Sequence, residues 1–128
     1  MLNKSGTTTE QFGNSTQILS DVGNQSAIGC VVDAALGVSV GNKKIAKAGT
    51  PVHMDLMNVQ TPAVLATGSV KMTAVLLHDV DVTNGNSNGT ALLFGFVNVN
   101  RMEADVQALV TTALSNANAS KLVTFLKV

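Results

Sequence analysis

The chain has 128 residues, enough for one domain with a hydrophobic core and too few for two. Hydrophobic residues make up 45% of it and charged residues 12%, about half the usual charged share, so we expect a globular protein with a surface of small uncharged side chains. The 8 basic and 8 acidic residues give zero net charge, whereas nucleic-acid-binding proteins usually carry a basic excess. With neither Tyr nor Trp present, platforms for base stacking are not expected either.

The N-terminal segment is polar, and its apolar anchors are Phe12, Ile18 and Leu19. It cannot bury enough apolar surface to order itself, which predicts an extended arm over 1–20 followed by a single β-rich domain over 21–128. A frayed terminus without a role is the alternative. Neither a signal-peptide core nor a bilayer-spanning run is visible, so we expect synthesis in a cytoplasm and no membrane partner.

Short apolar runs predict strands in the first half of the chain. Residues 27–32 indicate one strand and residues 43–48 another, with Gly41-Asn42 as the reversal before the second. The segment 33–40 fits either a strand or an irregular turn. The segment 52–68 lacks clean periodicity, and we expect a loop there that carries a short helical turn or an edge strand.

The central stretch predicts a hairpin that leads into a helix. Two apolar runs, 74–82 and 91–99, surround a loop rich in Asn and Gly, which is typical of a β-hairpin. Asn100 followed by Glu103 matches an N-cap with a glutamate at the third helical position.

The clearest helical pattern covers 101–116, because apolar residues recur there at helical spacing. The predicted buried face consists of Met102, Val106, Leu109, Val110, Ala113 and Leu114. The segment 120–128 alternates loosely and favours a final strand, with a helical tail as the alternative. This order predicts an α+β fold, mainly β, with a small barrel-like or sandwich-like antiparallel sheet and one packed α-helix.

His78, Asp79 and Asp81 are the first candidates for a metal or catalytic site. On a strand, alternate residues point to opposite faces, so the two carboxylates would share one face and the imidazole would point away. That arrangement predicts a polar outer edge of the strand. The loop 84–89 superficially matches a calcium loop, but its last ligand position would be Gly95, where a bidentate Glu is needed, so we expect a hairpin turn.

The remaining reactive residues favour structural roles. Lys43, Lys44 and Lys47 would suit a phosphate site, although a solvated turn between strands is the favoured interpretation. Cys30, the single cysteine, lies in an apolar run that predicts a buried, inert thiol. His53 is expected in a loop. Since no local spacing joins a nucleophile to a base and no phosphate loop is present, we predict no enzyme, no cofactor and no metal.

Four segments, taken in their order, resemble the head decoration and head fibre proteins of tailed bacteriophages. They are Lys44-Ile45-Ala46-Lys47-Ala48-Gly49-Thr50-Pro51, Val75-Leu76-Leu77-His78-Asp79-Val80-Asp81-Val82-Thr83, Leu93-Phe94-Gly95-Phe96-Val97-Asn98-Val99-Asn100-Arg101 and Leu122-Val123-Thr124-Phe125-Leu126-Lys127. The resemblance runs from about residue 27 to the end, and 52–69 does not align with it. None of these segments is catalytic; they are signatures of a fold.

The resemblance implies a capsid decoration protein that sits as a homotrimer on the outside of a phage head and braces the shell. It further implies an N-terminal arm that adds strand-like contacts to the major capsid protein. The arm residues assigned to capsid binding on this basis are Thr7, Thr8, Thr9, Phe12, Ile18 and Leu19. A carbohydrate- or host-surface-binding module of a phage fibre is the alternative, although it would want Trp or Tyr for sugar stacking. A small hydrolase is the third possibility.

Overall fold

The computed structural model of the protein describes residues 18, 19 and 25–128. The strands are β1 (Ser26–Val32), β2 (Val38–Val40), β3 (Lys43–Ala46), β4 (Pro51–His53), β5 (Val64–Leu65), β6 (Ala74–Leu76), β7 (Val80–Asp81), β8 (Ser87–Asn98) and β9 (Val123–Leu126). The α-helix α1 covers Ala104–Leu114, and two 3-10 turns cover Ala34–Leu36 and Val99–Arg101.

The larger sheet has six strands and is built around the long strand β8. Its main path runs in the order β9-β8-β6-β4-β5, and β1 also pairs with β8. At Ala91 and Leu92, β8 pairs with both β1 and β6, so these two strands lie along its opposite edges. Most pairings are antiparallel, as predicted, but β9 runs parallel to β8 from Val123 onward.

The smaller sheet has three strands in the order β2-β3-β7. Gly41, with φ of +61°, forms the tight turn between β2 and β3, which confirms the predicted reversal. A left-handed backbone of this kind favours glycine because a Cβ would be strained there.

The buried residues form two clusters on opposite faces of the six-stranded sheet. Val75 and Leu92 pack on one face with Val106 and Val110 of α1. The next residue of β6, Leu76, packs on the other face with residues of the three-stranded sheet. Helix, large sheet and small sheet therefore form three layers, which confirms the mainly β, α+β prediction in its sandwich-like form, because neither sheet closes into a barrel.

The predicted hairpin is correct in its pairing and wrong in its extent. Strand β6 pairs antiparallel with β8, but it ends at Leu76, and Val80–Asp81 continues in the smaller sheet instead. The chain crosses between the sheets at His78 and Asp79. Part of the predicted loop is also strand, since β8 already begins at Ser87.

The predicted helix cap is wrong. The chain first forms a 3-10 turn, in which the Asn98 side chain accepts a hydrogen bond from the backbone N–H of Asn100. Helix α1 begins only at Ala104, and its N-cap Glu103 makes no side-chain cap hydrogen bond. The apolar face is largely as predicted, but Leu114 is 47% exposed because it lies at the end of the helix.

The segments that the sequence left open are now assigned. Residues 33–40 hold a 3-10 turn and then β2, and residues 52–68 contain the end of β4 and the short edge strand β5. The final segment is the strand β9 rather than a helical tail.

Candidate binding surface

The two aspartates of the first candidate site each hold a different piece of backbone. Asp79 Oδ1 accepts a hydrogen bond from the N–H of Ala48 at 2.7 Å. Asp81 Oδ1 accepts from the N–H and the hydroxyl of Thr83 at 2.9 and 2.6 Å, and these bonds lower the pKa of Asp81. His78 is exposed beside them. In the described part of the chain, no group of three His, Cys, Asp or Glu side chains is placed to hold a metal.

The predicted lysine cluster splits into two kinds of residue. Lys43 and Lys44 are exposed to solvent, as predicted, but they lie on the strand β3 and not in a turn. The Lys47 side chain is only 13% exposed, and its Nζ lies 2.9 Å from Glu103 Oε1 and 3.1 Å from Asp105 Oδ2. The hydrogen bond to Glu103, reinforced by Asp105, raises the pKa of Lys47. This lysine therefore ties the end of β3 to the start of α1 and does not form a phosphate site with the other two.

Cys30 is buried in the cluster between the two sheets, with 5% of its surface exposed. Burial raises the pKa of its thiol, and a raised pKa disfavours the reactive thiolate. The structure thus agrees with a buried, inert cysteine.

The arm residues assigned to capsid binding divide into two groups. Thr7, Thr8, Thr9 and Phe12 lie outside the described residues. Ile18 and Leu19 are 0% and 2% exposed. They belong to the buried cluster that contains Val75, Leu92 and Val106 on the α1 side of the large sheet, which we call the helix-side cluster. The Ile18 carbonyl accepts from the N–H of Asn98 at 2.8 Å, and the Leu19 carbonyl accepts from Arg101 Nη1 at 2.9 Å. These two side chains pack in the core of their own chain.

An exposed apolar groove was not predicted from the sequence. It has a volume of about 210 Å³. Its lining residues are Leu56, Lys71, Met72, Thr73, Leu93, Asn118, Ser120 and Leu122. We call this set the apolar groove. Leu56 and Leu122 are 51% and 59% exposed, whereas Met72 is buried, and Lys71 is the only charged residue of the lining.

One wall of the groove is the segment that leads into β9. The Ser120 N–H donates to the Met72 carbonyl at 2.9 Å, and the Leu122 carbonyl accepts from the Gly95 N–H at 3.2 Å. The Ser120 hydroxyl also accepts from the Leu122 N–H at 3.2 Å. The N–H and the carbonyl of Leu122 are therefore both hydrogen-bonded, which holds this residue in an exposed position.

The opposite wall ends in a tight turn at 55–58. Asp55 Oδ1 accepts from the N–H of Met57 at 3.0 Å, and the Asp55 carbonyl accepts from the N–H of Asn58 at 3.0 Å. The turn presents Leu56 and Met57 at its tip, and Met57 is 95% exposed. In the sequence, Asp55 and Asn58 flank Leu56 and Met57, and this pattern could have indicated a turn with an apolar tip. It was missed because turns usually carry polar residues.

A more polar cavity of about 340 Å³ adjoins the groove and shares Leu56, Lys71 and Thr73 with it. His53 and Asp55 complete its polar lining. His53 lies at the end of β4 and not in the predicted loop, and its Nδ1 donates to the Lys71 carbonyl at 3.0 Å. Among the described residues the ion pairs are those of Lys47, so neither Asp55 nor Lys71 has an ion-pair partner there.

A second exposed apolar position lies further along β8. Phe94 is 43% exposed, and its ring meets that of Phe96 edge to face with centroids 6.4 Å apart. The surface thus offers several apolar contacts and few charges, which is the chemistry of a protein-binding surface.

No protein-family model and no curated protein matches this sequence. The resemblance to phage head decoration proteins therefore stays a prediction. Within residues 18–19 and 25–128, no helix has both the length and the hydropathy needed to cross a bilayer.

Proposed function

We propose that this protein is a structural capsid decoration protein, which binds the outer surface of a phage head as a homotrimer and stabilises the shell. The observation that carries the proposal is the apolar groove on a surface with few charges. Exposed apolar side chains held in fixed positions suit lasting contacts with other protein chains better than transient encounters. The order of the four segments that resemble decoration proteins points to the same role.

The polar residues that first suggested chemistry support this proposal by their partners. Asp79 and Asp81 hold backbone N–H groups, and Lys47 joins a strand to the helix. Each of these side chains stabilises the fold through its hydrogen bonds or ion pair. We infer that the protein acts through its surfaces.

The edge of β1 offers a second means of contact with the major capsid protein. β1 pairs with β8 on one side, and on its other side Val31 and Asp33 exchange backbone hydrogen bonds with Ala63. Over Ser26–Gly29, no described strand pairs with this outer edge. An exposed edge can accept an extended segment of another chain through backbone hydrogen bonds, with no requirement for particular side chains. Repeated at many equivalent sites, modest contacts of this kind reinforce a shell.

Co-sedimentation with phage heads tests the proposal. Purified protein should pellet with expanded heads that lack decoration, and it should stay in the supernatant with heads that are already decorated. Protein that fails to pellet with undecorated heads would contradict the proposal. Binding to host-surface glycans without binding to heads would favour the fibre module instead.

The part played by the arm is tested by a deletion that respects the core. Removal of residues 1–17 keeps Ile18 and Leu19, which are buried in the described domain. The shortened protein should unfold at the same urea concentration as the full chain and pellet less with heads. Equal pelleting of both forms would show that the arm does not contribute to attachment.

A further inference from the structure

We propose that Met57 of one copy of this chain inserts into the apolar groove of a second copy. The proposal names a contact surface between copies of this chain and goes beyond the proposed function. It does not depend on the binding of heads.

The exposure of Met57 is built into the turn at 55–58. Its own N–H is held by the Asp55 carboxylate at 3.0 Å, and the turn is closed by the N–H of Asn58 at 3.0 Å. The side chain is 95% exposed, the highest value among the exposed large apolar residues of the described chain. Methionine is unbranched and polarizable, so it adapts to apolar cavities of irregular shape.

The groove has the size of a side-chain receptor. Small-molecule sites usually measure about 300–1,000 Å³. The groove, at about 210 Å³, falls below that range, and half of its lining residues are apolar, namely Leu56, Met72, Leu93 and Leu122. Leu122 and Leu56 stand exposed at its walls with Met72 buried beneath, so an inserted side chain would cover both exposed leucines.

Charge complementarity identifies a second copy as the occupant. Asp55 precedes the inserted Met57 by two residues, and Lys71 is the only charged residue that lines the groove. Neither makes an ion pair among the described residues. Insertion of Met57 into a neighbouring groove brings the Asp55 of one copy close to the Lys71 of the other. Leu56 of the same turn lines the groove, and Asp55 and Lys71 both line the adjoining cavity, so turn and groove form one patch. Two copies can therefore exchange their Met57 side chains across a two-fold axis, with two reciprocal Asp55–Lys71 pairs.

The oligomeric state of the full chain in solution tests this contact. Wild-type protein should sediment as an oligomer. Met57→Glu should place a charge in the groove, weaken association at least tenfold and sediment as a monomer. Val40→Glu is the matched control, because Val40 is 49% exposed on the smaller sheet and does not line the groove. Circular dichroism should show that both variants keep the native fold.

Disulfide trapping gives a second measurement that does not rely on loss of association. A Met57→Cys variant mixed with a Leu122→Cys variant should form a crosslinked dimer of one copy of each on mild oxidation. A mixture of Val40→Cys with Leu122→Cys should not. Cys30 is buried in the native fold, so we expect no competing crosslink from it.

Three results would each overturn the inference. They are a monomeric wild-type protein, an oligomer that Met57→Glu does not affect, and the absence of a crosslink between the Met57→Cys and Leu122→Cys copies. Its failure is distinguishable from failure of the proposed function. Wild-type protein that associates through Met57 and does not bind heads would uphold the inference and contradict the capsid role. Wild-type protein that binds heads, with cysteine variants that give no crosslink, would do the reverse.

Discussion

Gly49 offers the sharpest test of how the turn between β3 and β4 is built. Its φ is +94°, and its N–H donates to the Leu76 carbonyl at 2.7 Å, which ties the turn to the large sheet. A Cβ at this position would lie 2.8 Å from Sδ and 2.9 Å from Cγ of Met102. Gly49→Ala therefore combines backbone strain with a steric clash.

The magnitude follows from these two effects. A left-handed backbone costs a non-glycine residue about 1–2 kcal/mol. Overpacking costs about 1–3 kcal/mol more, since Met102 is buried in the helix-side cluster and must move. Gly49→Ala should thus lower the free energy of unfolding by about 2–5 kcal/mol, a large part of the ~5–15 kcal/mol that holds a typical domain folded.

Gly41→Ala is the matched control. Gly41 also has a positive φ, of +61°, but a Cβ there would meet nothing within 4 Å. This variant should lose only the backbone contribution, about 1–2 kcal/mol. Urea unfolding followed by circular dichroism measures both, because the chain has no Trp or Tyr for fluorescence.

Equal losses for Gly49→Ala and Gly41→Ala would refute the steric part of the reasoning, and no loss for Gly49→Ala would refute all of it. Met102→Ala supplies an independent check. In that background the sulfur and methyl are gone, so Gly49→Ala should cost only about the backbone 1–2 kcal/mol.

Two further substitutions test the polar contacts. Asp79→Ala removes the acceptor of the N–H of the buried Ala48 and should lower the free energy of unfolding in urea by about 1–3 kcal/mol. Asp79→Asn keeps an acceptor oxygen and should cost less, and equal costs would contradict this role of Asp79. The hydrogen bond to Glu103 raises the pKa of Lys47 in the folded state. The ion pair therefore stabilises the fold fully below the pKa of a lysine in the unfolded chain, about 10.4, and this stabilisation is lost as pH rises through the higher pKa of Lys47 in the folded state. Lys47→Met should lower the free energy of unfolding by up to about 1 kcal/mol at pH 7, a small effect because the carboxylates are exposed. The difference in stability from wild type should shrink above the folded-state pKa of Lys47. A difference that does not change with pH would argue against the ion pair.

Local pattern was sufficient for most strands and for the buried face of the helix. The strand β1, the reversal at Gly41 and the final strand all follow from runs of apolar residues between turn residues. Val106 and Val110 follow from helical spacing. These features depend on neighbours within a few residues, which the sequence displays directly.

Contacts distant in sequence decided the rest. The sequence pattern places Asp79 in one continuous strand. In the structure Asp79 instead accepts a hydrogen bond from Ala48, 31 residues away, at the point where the chain passes from one sheet to the other. Lys47 belongs to a basic cluster in the sequence, but in the structure it forms an ion pair with Glu103, 56 residues away, at the start of the helix.

The apolar groove was the least predictable feature. Leu56, Leu93 and Leu122 come from three separate parts of the chain, and they come together only where the sheet, the turn at 55–58 and the segment before β9 meet. Composition alone already indicated a surface with few charges. Which apolar side chains that surface exposes was decided by the tertiary structure, because burial depends on packing between elements and not on the residue itself.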